Sequence, residues 1–339
     1  MRIYLDAMGG DHAPGVTVEG ALEALHIFPK LVLELGGPCD VIEQRVDNVF
    51  QGANKALRDR LCITDCPELI SNNEAPVMAV RKKTGSAMVD GMLKLKDQRV
   101  DAFVSAGSTG AVVAGGMFRL GRIQGVERPA LAPLMPHGSG FFLLIDCGAQ
   151  VDCRPEWLTQ FAVMGSAYMQ GVMGLQNPRV GLVNNGAEAE KGTALTKAAY
   201  AMLAEFPTIN FIGNVEARDI TANLADVIVC DGFTGNIILK FMEGVAGTLM
   251  GLIKHEIMSD PLSKIGGLLA KPAFRRVAKA MDYTEVGGAP LLGVKGSVIK
   301  AHGSSNSHAV ACAISQAVKM IEAQVVYKIE SGLSGVNPE

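Results

Sequence analysis

The sequence predicts an α/β fold built on a mostly parallel sheet, and three observations predict it. Short apolar runs alternate with segments of helical period along the chain. Nearly every apolar run ends in glycine plus a small polar residue, as a strand does where it turns into a helix. No Ser/Pro linker, internal repeat or low-complexity tract divides the 339 residues, so two lobes of one continuous architecture are expected rather than independent domains.

The elements follow in order. The first strand is expected at Arg2–Leu5, closing on Asp6 in MRIYLDAMGGDHAP. A helix over Val16–His26 and a strand at Leu31–Leu35 come next, then a helix over Gly85–Lys96 and a strand at Ala102–Ser105. Thr109–Leu120 reads as helix, Phe141–Ile145 as strand, Glu156–Gln170 as helix and Val180–Val183 as strand. A helix over Thr193–Glu205 precedes strands at Ile209–Ile212 and Val227–Cys230, and a helix spans Asn236–Ile257. The last helix is Ser307–Ile329, where VACAISQAVKMIEAQVV spaces its polar residues at helical intervals.

Composition narrows the function. At 48% hydrophobic the chain is able to bury a large core. A net charge of −3 from 31 basic and 34 acidic residues argues against a nucleic-acid partner, and 5% aromatics leave few platforms for base stacking. Seven cysteines at scattered positions, with no C-x-x-C and no metal-site spacing, read as reduced thiols of a cytoplasmic protein without a bound metal. The chain starts directly on a strand, so no signal peptide is expected, and no apolar run reaches the roughly 18 residues of a membrane-spanning helix.

In parallel sheets the chemistry gathers where strands end. Those segments are DAMGGDHAP (6–14), SAGSTGA (105–111), DCGA (146–149), NNGAEAEKG (184–192), GN (213–214), DGFTGN (231–236), YTEVGGAPLLGVKG (283–296) and AHGSSNSH (301–308). Glycines such as Gly9, Gly10 and Gly107 let backbone N–H groups approach a ligand, and Ser105, Ser108 and Thr109 ahead of a helix suit an anion. His302, Gly303 and Ser304 form a second such loop. Any single loop is equally explained by helix capping; six such loops at strand ends favour a shared cleft. No G-x-G-x-x-G, Walker A, zinc-protease or nucleophile-elbow motif is present. The chemistry is therefore expected to rest on positioning and electrostatics, with neither a metal nor a cofactor.

DAMGGDHAP, SAGSTGA, NNGAEAEKGTALTK, DGFTGNIILK and AHGSSN, in this order, resemble the bacterial phosphate acyltransferase family PlsX across essentially the whole chain. The resemblance implies a two-lobed, three-layer α/β/α sandwich similar to isopropylmalate dehydrogenase and phosphotransacetylase, working as a homodimer. It also implies that acyl phosphate is made from fatty acyl–acyl-carrier protein and inorganic phosphate. The product would feed a membrane glycerol-3-phosphate acyltransferase in phospholipid synthesis. Lys191 stands at a motif position associated with catalysis and is the first choice for stabilising developing charge, though exposed lysines are common. Asn236 is either an oxyanion donor or a helix cap. Asp6 and Asp11 flank the glycine turn, where a free carboxylate would repel phosphate; they are expected to orient the loop or hold Lys191 or an arginine. His12 is expected to be a hydrogen-bonded loop residue, with the general-base role as its alternative.

Residues 241–283 have a different texture: an apolar helix, then Leu268 and Leu269 beside a GG turn with Lys271, Arg275, Arg276 and Lys279 around them. An apolar tip ringed by cations suits an interfacial membrane contact, and the cations suit an acidic carrier protein; the family resemblance implies peripheral attachment, at the inner face of the cell membrane. A dimer-interface hairpin is the plain alternative. Two rival functions remain: a metal- and NAD-dependent dehydrogenase of the isopropylmalate type, and a non-catalytic membrane scaffold for lipid enzymes. The first needs a carboxylate cluster and a dinucleotide motif; the second leaves the strand-end loops idle.

Overall fold

The computed structural model describes residues 1–138, 140–281 and 287–334, except for the side chains of 278–281. Two sheets form its frame. The first has seven strands: β1 (Arg2–Asp6), β2 (Val32–Gly37), β3 (Leu61–Asp65), β4 (Ala102–Ser105), β5 (Ala130–Leu131), β11 (Ala289–Leu292) and β12 (Ser297–Lys300). Their order is β3-β2-β1-β4-β12-β11-β5, parallel through β12 and antiparallel at β11 and β5. The second sheet contains β6 (Leu134–His137), β7 (Gly140–Ile145), β8 (Arg179–Asn184), β9 (Asn210–Glu216) and β10 (Val227–Val229), in the order β6-β7-β10-β8-β9 with only β6 antiparallel. Backbone bonds from Leu144 N to Pro133 O (3.1 Å) and Cys147 N to Leu131 O (2.9 Å) join the sheets at β5.

Strand alternation builds three layers. Ile3, Leu5, Val104, Ile145 and Val229 enter one apolar cluster with α1 (Gly15–Ile27), α6 (Pro155–Val172) and α10 (Ser307–Glu322). Tyr4, Phe103, Leu144 and Ile228 point to the opposite cluster, with α4 (Ala87–Lys96) and α5 (Thr109–Gly115). This is the α/β/α sandwich.

The differences from expectation have physical causes. Strands β3, β5, β6, β11 and β12 are two to five residues long, too short to show a period. Helices α2 (Cys39–Val49) and α3 (Pro76–Lys82) were not singled out in the sequence either. The final helix is two: α10, then α11 (Val325–Ser334), bent by 49° where Gln324 adopts φ 52° although the apolar pattern runs on. Helix α7 (Ala194–Ala204) lies where expected.

Helices α8 (Gly232–Ile257) and α9 (Pro261–Met281) carry an exposed apolar stripe that includes Phe233, Ile237, Phe241, Val245 and Leu249. Gly266 and Gly267 are helical rather than a turn, so Leu268 and Leu269 lie mid-helix, 70% and 79% exposed, and the turn falls at residues 258–260. By length and composition α8 is long and apolar enough to cross a bilayer, against the sequence expectation, yet its first turns are committed to a cavity.

Candidate active site

In the first sheet the chain runs from β1 outward to β2 and returns at β4 on the other side, so the helices after β1 and β4 leave for opposite faces while the loops that lead to them adjoin at the sheet edge. Asp6, at the end of β1, is buried. Its carboxylate accepts the Ser105 hydroxyl at 2.7 Å and Met8 N at 3.3 Å, while burial pushes its pKa upward. Ser105 Oγ in turn accepts Gly107 N at 3.0 Å. The Ser105 hydroxyl and the Gly107 N–H are thus spent on joining two loops. A Cβ at Gly9 would lie 2.7 Å from Gly107 N, so glycine is what lets the loops meet. Asp11 N donates to Gly303 O at 2.8 Å and ties in the loop after β12. Asp6 therefore holds a serine, and neither Lys191 nor an arginine.

The second sheet contributes through Asp146, at the end of β7. Its buried carboxylate accepts N–H bonds from Leu131 (2.8 Å), Gln150 (2.7 Å) and Ala149 (3.1 Å), and burial pushes it up to about 7. Helix α8 is capped by Asp231, which accepts from Thr234 N at 2.9 Å. A Cβ at Gly235 would stand 1.9 Å from Asp146 O, so glycine seats the first turn of α8 against the end of β7. Asn236 follows inside the helix and is not its cap.

These edges enclose a cavity of about 370 Å³. Thr109, Asn236, Lys240, Lys300, His302 and Gly303 supply its polar lining, and Leu131, Pro133, Leu134, Met135 and Leu239 an apolar wall. Lys300 is 9% exposed; its ammonium donates to Ala106 O (3.5 Å) and Ala301 O. Loss of water pulls its pKa down to about 8, against the Asp6 and Asp11 carboxylates and with help from Lys240. Desolvation and then Lys240 also lower the His302 pKa, favouring neutral imidazole, and His302 Nδ1 pairs with Ser304 Oγ at 2.8 Å. Lys240 pairs with Glu243 at 3.0 Å on the cavity wall. A neighbouring cavity of about 300 Å³ is lined by Asp6, Gly9, Gly10 and Gly107 with Glu68, Ser71 and Asn72, and no basic side chain among the described residues faces it.

The structure thus gathers Thr109, Asn236, His302 and Gly303 around one space and Asp6, Gly9, Gly10 and Gly107 around the next, with Ser105 buried at their junction. Ser108 occupies the N-cap position of α5 without a side-chain cap bond. Lys191 lines neither cavity. It is exposed on the loop after β8, where Asn184 Nδ2 donates to its carbonyl at 3.1 Å. Because β8 and β10 are parallel neighbours, that loop leaves the same sheet edge as α8. Lys271, Arg275 and Arg276 are exposed on α9, distant in sequence from these loops; the Lys279 side chain lies outside the described residues. Lys300 and Lys240 escaped notice in the sequence, because SVIK before AHGSS is too short to show the period of a strand. Among the described residues no group of three or more His, Cys, Asp or Glu could hold a metal ion.

Known proteins resemble this chain in sequence and in fold. The family described as "Fatty acid synthesis protein" matches residues 1–328. A phosphate acyltransferase of Alkaliphilus oremlandii is 46% identical over 339 residues, covering 100% of this chain and 99% of that protein. One from Clostridium perfringens is 48% identical over 334 residues, covering 98% and 97%. Among solved structures, a branched-chain phosphotransacylase from Enterococcus faecalis aligns with TM-score 0.59 at 12% identity, covering 95% of this chain and 99% of that one. The EutD phosphotransacetylase from Staphylococcus aureus aligns with TM-score 0.58 at 16% identity, covering 96% and 94%. At those identities the two structures speak for the fold alone.

Proposed function

The chain belongs to the fatty acid synthesis protein family and, with its close relatives, to the phosphate acyltransferases; from that premise we propose that it transfers the acyl group of fatty acyl–acyl-carrier protein to inorganic phosphate. One observation carries the reading: the cavity joins a polar end bearing Asn236, Thr109, His302 and a buried lysine to an apolar wall. Such a space suits a phosphate meeting an acyl thioester.

The reaction needs orientation more than activation. A phosphate oxygen attacks the thioester carbonyl, and the carbonyl oxygen takes up negative charge. The carbon–sulfur bond then breaks, the thiolate leaves, and the proton of hydrogen phosphate ends on the thiol. Asn236 Nδ2 and the Lys191 ammonium stabilise the oxyanion. Lys191 lines neither cavity, and its assignment rests on the family motif and on its loop after β8, which shares the sheet edge that carries Asn236. Phosphate rests against Thr109, His302, Gly303, Ser304 and Ser108. Asp6, Asp11, Gly9, Gly10, Ser105 and Gly107 keep the loops in register, as their bonds suggest.

The α8–α9 hairpin serves the substrate's delivery. Exposed Lys271, Arg275 and Arg276 match an acidic carrier protein, with Lys279 assigned the same role from sequence. The apolar stripe with Leu268 and Leu269 supports homodimer contact and peripheral attachment at the cytoplasmic face of the membrane. Acyl phosphate released there is placed for a membrane glycerol-3-phosphate acyltransferase. The test is acyl-phosphate formation from acyl-carrier thioester with and without phosphate. Phosphate-dependent product is expected; its absence, with thioester intact, would refute the assignment.

A further inference from the structure

We infer that Lys300 is the cation that binds the attacking phosphate, a contact made by the last residue of β12 rather than by a glycine loop. The inference rests on the phosphate acyltransferase reading and names the residue that serves its first substrate.

Lysine is almost never fully buried without a partner, because its ammonium loses water's solvation. Lys300 is 9% exposed, and among the described residues its ammonium has only the carbonyls of Ala106 and Ala301 as acceptors. Among the described residues no carboxylate lies within ion-pair distance of it. Two carbonyl dipoles solvate a cation but do not neutralise it. The nearby acids act from further off: Asp6 is engaged with Ser105, and the Asp11 backbone is tied to Gly303. Lys240 adds a second positive charge on the same wall, its own charge met by Glu243.

The side chain lines the larger cavity with Thr109, Asn236, His302 and Gly303. A buried, uncompensated cation beside neutral donors is a site waiting for an anion. The smaller cavity offers the opposite field, with Asp6 and Glu68 on its wall. Burial pulls the Lys300 pKa down toward about 8 despite the more distant Asp6 and Asp11 carboxylates, the direction expected of a desolvated cation without a close counter-ion. Two phosphates could meet this cation: free inorganic phosphate, or the phosphodiester of a carrier protein's prosthetic arm. We assign it to the free anion, because the cation faces the donors that hold the reacting centre.

The test uses the full chain and the Lys300→Met and Lys300→Arg variants. Phosphate and thioester concentrations are varied separately while acyl phosphate is measured. Lys300→Met is expected to raise the KM for phosphate about 10- to 100-fold, the loss of one charged hydrogen bond, and to leave the KM for thioester within about twofold. Lys300→Arg, which keeps the charge, should recover part of that loss. An unchanged phosphate KM, or a rise confined to the thioester, would overturn the assignment. Phosphate binding without thioester, followed by calorimetry, separates the two readings. Binding that is lost in Lys300→Met while wild type makes no acyl phosphate would uphold the cation site and refute the enzyme assignment. Should Lys300→Met fail to fold, sulfate is titrated into wild type at about pH 7 and about pH 9.5, where sulfate keeps its charge and the lysine loses its own. Equal thermal stabilisation at both would refute the role of Lys300.

Discussion

Lys191 and Asn236 test different things because they stand in different surroundings. Lys191 is an exposed loop residue, so Lys191→Ala should leave thermal stability unchanged while turnover falls about 10²–10³-fold, as when one oxyanion donor is removed. Turnover near wild type would remove it from the mechanism. Asn236 lies past the cap of α8, so Asn236→Ala should lower turnover to a similar degree without a capping loss. Asp231→Ala should instead cost about 1 kcal/mol in chemical denaturation. If Asn236→Ala loses stability and keeps turnover, it is a structural residue. Lys300 adds a pH signature. Its folded pKa, about 8, is below the lysine reference of 10.5, so between those values the unfolded chain holds more protons and stability rises with pH. Relative to Lys300→Met, wild type should gain up to about 3 kcal/mol across that window. Denaturation curves at a series of pH values check this, and a flat difference would mean that burial does not depress the lysine.

Helix α8 does two jobs along its length. Its first turns are pinned by Asp231 and by the glycine contact of Gly235 with Asp146 O, and they carry Phe233, Asn236 and Lys240 to the cavity. Further along, the apolar stripe faces outward and continues onto α9. Changing Leu268 and Leu269 together to Glu should release the protein from anionic vesicles in a flotation assay. Burying two leucines is worth roughly 3–6 kcal/mol at most, and the added charge repels the lipid. Activity on carrier-bound substrate should persist, because the strand-end loops are untouched. A variant that becomes monomeric and inactive would identify the helix as a dimer core. Arg275→Glu with Arg276→Glu should raise the KM for the carrier thioester, and the effect should shrink at high salt.

At the scale of the whole molecule, the cavity exists because two sheets end at one place. β4 and β12 bring two loops from one side, which the loop after β1 ties together from behind; β7 and β10 bring Gly148 and the start of α8 from the other. Much of this was legible in the sequence. The alternation of strand and helix follows from periodicity, which is local; Asp6 and Ser105 announced themselves where strands stop and Thr109 where a helix starts. The whole-chain motifs also pointed to the family that the full-length relatives share. What was not legible depends on neighbours far apart in the chain. SVIK is four residues long and looks like part of a glycine loop; only its pairing with β4 makes it a strand and turns Lys300 inward. Ser105 reads as a phosphate donor until Asp6, 99 residues away, takes its hydroxyl. Leu268 and Leu269 read as a tip until Gly266 and Gly267 prove to be helical. The sequence by itself determined the elements, their alternation and the loops that hold chemistry, because those follow from spacing along one segment. The tertiary structure alone decided which polar groups are spent on one another and which face the cavity. Burial and partnership are set by where separate segments meet, and no local pattern encodes that meeting.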